Sequence, residues 1–132
     1  MSATFPVIIN IDFGGCTLSD HVMKEYNATP GVTPIKSPYD FDRTDERLAY
    51  LVDTCPHRSS LVVKNIPMEY KNHYMIDEYD GSETILVNFA QYQVAMIKEI
   101  LAGSDDDKID KIKTFLENFP EEKLEAAFNE MY

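Results

Sequence analysis

Residues 74–87 read YMIDEYDGSETILV, and the reading of this stretch decides the fold class. Apolar and polar side chains alternate through Tyr74-Met75-Ile76-Asp77-Glu78-Tyr79, the period of an extended chain whose side chains leave on opposite faces. Asp80-Gly81 follows, a dipeptide suited to the positive φ that a two-residue hairpin turn demands. Thr84-Ile85-Leu86-Val87 then returns as a second strand. Beyond Asn88 the apolar period lengthens from two to about three and a half. Ala90, Val94, Ile97 and Leu101 line one face of a helix expected to stop at Gly103. A hairpin followed by helices predicts an α+β chain.

Upstream, residues 5–13 (FPVIINIDF) form a β-branched apolar run that predicts a buried central strand, bounded by a turn at Gly14-Gly15. Ser19 is placed to cap a short helix over residues 18–26, with Asp20 at the positive end of its dipole. Val22, Met23 and Tyr26 supply its buried face. Residues 27–39 carry prolines at 30, 34 and 38, which exclude helix and imply a long surface loop. Thr44 is expected to open a second helix, with Asp45 and Glu46 in its first turn. Leu48, Leu51 and Val52 are its apolar stripe, and Pro56 closes it. Residues 61–66 (LVVKNI) read as a strand ending at Pro67. The strands together predict a small, mostly antiparallel sheet of about four strands, accompanied by short helices. Two domains follow: an α+β core over residues 1–88 and a helical C-terminal extension over 89–132. In the extension, Ser104 to Asp107 reads as a variant capping box. Ile109, Ile112, Leu116 and Phe119 then mark one helix, and Leu124, Phe128 and Met131 another that restarts at Pro120.

Composition narrows the function classes. Twelve Lys and Arg stand against 23 Asp and Glu in 132 residues, a net charge of −11. Nucleic-acid affinity rests largely on cations meeting phosphates, and the basic residues here are scattered beside acids. Direct nucleic-acid binding and adhesion to an anionic membrane are both disfavoured. No apolar run approaches the ~20 residues that span a bilayer, and the first residues lack the pattern of a secretory leader. The expected location is a reducing, cytosol-like space, in which Cys16 and Cys55 remain free thiols.

Several constellations invite chemistry and are weighed against plainer readings. Asp77, Glu78, Asp80 and Glu83 crowd around Gly81, but the strand pleat splits them between two faces and the spacing is not that of a calcium loop. Solvated acids flanking a turn are the simpler account, with Glu78 and Glu83 left as the two that can share a useful face. Cys16 lies just past two glycines and before a helix, where a nucleophile can be activated. It lacks a nucleophile-elbow frame and a histidine tied to it. His21, His57 and His73 are isolated, with Cys55-Pro56-His57 at most one edge of a metal site. No metal ligand set, cofactor motif or catalytic residue is assigned. An enzyme reading requires Cys16 or the carboxylates Asp12, Asp77 and Glu78 to converge in one pocket. Eight Tyr and seven Phe exceed what a core this size absorbs, and the C-terminal helices either pack over the sheet of the core or offer a surface for self-association or a partner. The candidate residues of that surface are Tyr92, Met96, Phe115, Phe119, Phe128 and Tyr132. The leading expectation is a non-enzymatic structural or interaction protein that forms a homodimer. A small hydrolase or transferase, and an acidic decoy or clamp for basic proteins, are the alternatives.

Three segments taken in order carry a resemblance. They are Ile9-Asn10-Ile11-Asp12-Phe13-Gly14-Gly15 with Leu18-Ser19, then Asp42-Arg43-Thr44-Asp45, then Ile66-Pro67 followed by Ile76 to Glu83. The set resembles an uncharacterised family of small proteins found in large DNA viruses, phages and some bacteria. In that family I-N-x-D-x-G-G…L-S precedes an acidic R-x-D helix start, a strand ending in I-P and an E-Y-D-G-x-E hairpin. The match covers roughly residues 7–87 and implies one compact domain without catalytic residues to carry over. Relatives tend to stop soon after the hairpin. The added helices imply a viral member, a virion-packaged protein of a marseillevirus-like virus, with the virion or host cytoplasm as its location and a viral protein among its partners.

Overall fold

A computed structural model describes residues 3–12, 16–56, 60–104 and 106–131. The chain divides into two compact units, Met1–Leu86 and Val87–Tyr132.

In the first unit, β1 (Thr4–Asn10) pairs antiparallel with β2 (Leu61–Pro67), in a register that runs from Thr4 opposite Pro67 to Asn10 opposite Leu61. β1 is shorter than the apolar run suggested. Ile11 and Asp12 are exposed, and the expected strand end and turn at Phe13-Gly14-Gly15 lie outside the described residues. Between the two strands come helix α1 (Asp20–Asn27) and helix α2 (Glu46–Asp53). Ser19 caps α1 as its position predicts, its hydroxyl accepting from the Val22 N–H at 3.2 Å. For α2 the cap is one residue later than expected. Asp45 is the N-cap, its Oδ1 accepting from the Leu48 N–H at 2.9 Å. Thr44 instead joins a local turn, its N–H and hydroxyl both bonding Asp42 Oδ1. Carboxylates outrank most side chains at this position because they meet both the open N–H groups and the dipole.

Ile8, Leu18, Val22, Tyr26, Leu48, Ala49, Val52 and Leu61 form one buried cluster between the strands and the two helices. Val7 and Ile9 on the other face of β1 are buried as well. β1 is thus covered on both faces, as its unbroken apolar run implies. The loop that connects α1 to α2 is organised by Asn27, whose side chain bonds both backbone groups of Ile35.

β3 (Tyr74–Tyr79) and β4 (Ser82–Val87) make the second strand pair, an antiparallel hairpin. Asp80 and Gly81 have φ of 53° and 91°, the positive pair required by a tight hairpin turn of this length. The expectation of one sheet of about four strands is corrected here. Among the described residues the strands form two separate two-stranded pairs. Side chains, not a ladder, join the hairpin to β1.

The second unit consists of α3 (Phe89–Ala102), α4 (Lys108–Asn118) and α5 (Glu121–Met131). Asn88 caps α3 by accepting from the Gln91 N–H at 2.9 Å. The capping box at Ser104 is not where α4 begins. That helix starts at Lys108 after Asp107, and Asp105 lies outside the described residues. No helix among the described residues is long and apolar enough to cross a membrane.

Candidate functional site

β1 ends on Asn10, a polar residue only 1% exposed. Its backbone N–H donates to Glu83 Oε1 at 2.8 Å. Its side-chain Nδ2 donates to the carbonyls of Asp12 and Gly81 at 2.9 and 2.8 Å. Glu83, at the start of β4, is itself 8% exposed. Both of its oxygens face Arg43, with Nη1 at 2.6 Å from Oε1 and Nη2 at 2.8 Å from Oε2. This is the two-point geometry in which guanidinium and carboxylate match best. Arg43 Nη1 also donates to the Ile8 carbonyl at 3.0 Å, and the guanidinium lies 5.6 Å from the Phe41 ring centroid. The Cys16 thiol lies beside this pair, within reach of the charges of Arg43 and Glu83.

Electrostatics follow from these contacts. Burial alone would raise the Glu83 pKa. The bonds from Arg43 and the Asn10 N–H, with the Arg43 charge, outweigh it and hold the carboxyl below its ordinary value. Burial pushes the Cys16 thiol up. The Arg43 charge opposes that rise, while Glu83 adds to it through its charge. A thiol held protonated beside a carboxylate is a poor nucleophile. The cluster is therefore built to stay closed and charged, not to activate sulfur.

The remaining sequence-nominated carboxylates lie at the surface. Asp12, Asp77 and Glu78 are all exposed, and Glu78 Oε1 accepts from the Gly81 N–H at 3.0 Å as part of the turn. Among the described residues no group of three or more His, Cys, Asp or Glu could hold a metal ion. His57 lies outside them. Glu83 departs from the reading of this acidic run as solvated: one of its carboxylates is buried and paired. Arg43 and Asn10 belong to the motif stretches but carried no chemical signal of their own. Glu83 stood out only beside Glu78, whereas its partner lies 40 residues away.

An open groove of about 650 Å³ lies along the loop before α2, lined by Tyr26, Ile35, Phe41, Asp42, Asp45 and Leu48 among others. Its inward carboxylate, Asp45, is engaged by the Tyr26 hydroxyl at 2.8 Å and by the helix cap. It reads as part of the fold.

The helical unit presents different chemistry. Phe89, Tyr92, Leu124 and Phe128 are its buried side chains, with Phe89 and Phe128 edge to face at 5.9 Å. Phe115 bridges Tyr92 and Phe119 at 6.4 and 5.4 Å. Gln93 Nε2 donates to the Phe119 carbonyl at 2.7 Å, and Lys108 Nζ to the Leu101 carbonyl at 2.8 Å. The stripe of Ala90, Val94, Ile97 and Leu101 faces outward: Val94 is 50% and Leu101 52% exposed, and Ile97 is half-buried. The inward face is the one through Phe89 and Tyr92, roughly a third of a turn away, because aromatic side chains bury more area than Ala and Val. α4 has no buried residue. Ile109 is 70% exposed, and Leu116 and Phe119 are also exposed. Of the six residues nominated for an interaction surface, Tyr92 and Phe128 are interior to this unit and Met96 and Phe115 are half-buried. Phe119 is exposed, and Tyr132 lies outside the described residues.

No family model matches the sequence, and neither the curated proteins nor the solved structures contain a significant match to it.

Proposed function

We propose that this chain is a non-enzymatic interaction protein that pairs with a second copy of itself through the helical unit Val87–Tyr132. The observation that carries this reading is the exposure of Val94 and Leu101 on α3 and of Ile109 and Leu116 on α4. Helices that bury one aromatic face and leave a second apolar face in water have unspent hydrophobic free energy, about 25 cal/mol for each Å² covered. A second copy suits the charges beside these side chains. Lys98 flanks those on α3, and Asp110 and Glu117 flank those on α4, so α3 of one copy against α4 of the other can set opposite charges together.

The enzyme alternative loses support from two observations. Its carboxylates face solvent, and burial beside Glu83 raises the pKa of its thiol. The viral and virion-packaged part of the proposal rests on the motif resemblance alone, and mass spectrometry of purified virions tests it.

Light scattering on the full chain, with and without Ile109→Glu and Leu116→Glu, tests the pairing. A dimer that dissociates in the charged variants supports it. A monomeric parent chain removes it, and a dimer indifferent to both substitutions moves the interface elsewhere.

A further inference from the structure

Among the described residues β1 has a strand on one side only. In an antiparallel pair, alternate residues turn both backbone groups toward the partner and the residues between them turn theirs away. The bonds from the Met68 N–H to the Ala3 carbonyl and from the Ile11 N–H to the Ser60 carbonyl assign the odd-numbered residues to the β2 side. Pro6, Ile8 and Asn10 therefore direct their backbone groups along the opposite edge. Pro6 has no N–H to offer there. The Ile8 N–H donates to the Arg43 carbonyl at 2.8 Å, and the Ile8 carbonyl accepts from the Arg43 guanidinium at 3.0 Å. The Asn10 N–H donates to Glu83 at 2.8 Å. One residue's main chain and two side chains, locked to each other, thus do at this edge what a neighbouring strand does elsewhere.

We infer that the Arg43–Glu83 pair is an edge guard, an autoinhibitory contact that closes the strand-addition edge of β1 against β1 of a second copy. An open edge on an apolar, β-branched strand is a template for another chain. This edge is moreover self-complementary. In an antiparallel pairing centred on Ile8, the Ile8 N–H and carbonyl of each copy meet those of the other, and each Asn10 N–H meets a Pro6 carbonyl. From Pro6 to Asn10 every outward N–H then has an acceptor, and the donor that Pro6 lacks leaves only the Asn10 carbonyl of each copy over. Carbonyls tolerate this better than N–H groups do. Two charged side chains across the edge prevent that pairing, because a strand could enter only by leaving Arg43 and Glu83 desolvated and without their partners. The guard lies within the unit Met1–Leu86 and does not depend on the helical surface proposed above.

The test uses the full-length chain carrying Ile109→Glu, so that pairing through the helices is suppressed. Sedimentation velocity over a concentration series is combined with hydrogen exchange at the β1 amides. Glu83→Ala is expected to associate at concentrations at least about tenfold lower than Glu83→Gln, since glutamine keeps an acceptor for the Asn10 N–H. In Glu83→Ala the Asn10 amide should exchange fast when dilute and slowly when concentrated. Arg43→Met takes the guanidinium off the Ile8 carbonyl and off Glu83, which frees the Arg43 main chain to leave the Ile8 N–H. It should associate in the same way, with Ile8 amide exchange also dependent on concentration. A folded Glu83→Ala protein no more associated than Glu83→Gln overturns the inference. So does association that leaves β1 exchange independent of concentration. Should Glu83→Ala fail to fold, Arg43→Met decides. Unfolding of both without association also overturns the inference, because the pair would then be a support of the fold and not a guard. Failure of the helical dimer shows separately, as Ile109→Glu leaving the parent's assembly state unchanged.

Discussion

Glu83 is one of several acids in a run of seven residues, yet it alone of Asp77, Glu78, Asp80 and Glu83 is buried. The two-point bond from Arg43 and the Asn10 N–H compensate its desolvation. Removing one partner strands the other, so Glu83→Ala should cost about 3 kcal/mol in a denaturant titration. Glu83→Gln keeps hydrogen bonds and should cost less. The pH dependence has a definite sign. Glu83 has a folded-state pKa below its ordinary value of 4.5. Its contribution is complete above that value and is lost as pH falls through the depressed one. Wild-type stability should therefore decline more steeply than that of Glu83→Gln as pH drops below the ordinary carboxylate range, as read by thermal melts across acidic buffers. The neighbouring thiol gives a second check. Burial raises the pKa of Cys16, with Glu83 adding to the rise. Its alkylation by iodoacetamide at neutral pH should be slower in the folded protein than in the urea-unfolded chain, at least about threefold. Equal rates would show that the thiol does not sit in this environment.

At the scale of elements, caps and turns follow local rules. The hairpin turns on Asp80 and Gly81, both at positive φ. An L side chain at Gly81 is strained there, and Gly81→Ala should destabilise by about 1 kcal/mol in equilibrium unfolding. Asn88 is the cap that starts α3 at the boundary between the two units. Asn88→Ala should lower helix content by circular dichroism and cost about 1 kcal/mol. These features were legible because a turn or a cap is decided within a few residues. The inward face of α3 was not. Phe89 and Tyr92 on one side, and Ala90, Val94 and Leu101 on the other, give that helix two apolar faces. Periodicity alone ranks them equally, and the larger aromatic area settled which one turned inward.

For the whole molecule, the division at Leu86 and Val87 separates two kinds of surface. The first unit buries apolar side chains on both faces of β1, together with a paired charge. The second leaves much of its apolar area in water, and after Asn88 it carries five lysines against ten acids, a net −5. At concentrations where the parent chain is monomeric, Ile109→Glu should leave the melting temperature nearly unchanged, because a side chain 70% exposed contributes little to its own unit. A large loss of stability would instead place Ile109 against a neighbour within the chain.

The amino-acid sequence by itself determined the α+β character, the hairpin at Asp80-Gly81, the cap at Ser19 and the prevalence of acid over base. Each depends on backbone preference or on composition, which act locally or not at all on geometry. Tertiary structure decided what required distant residues to meet. It separated the strands into two pairs and turned Phe89 and Tyr92 inward. It also buried one acid of a charged run, because Arg43 and Asn10 arrive from elsewhere in the chain to hold it. A buried charge is tolerable only where its partner already stands, and no local pattern states where that partner will be.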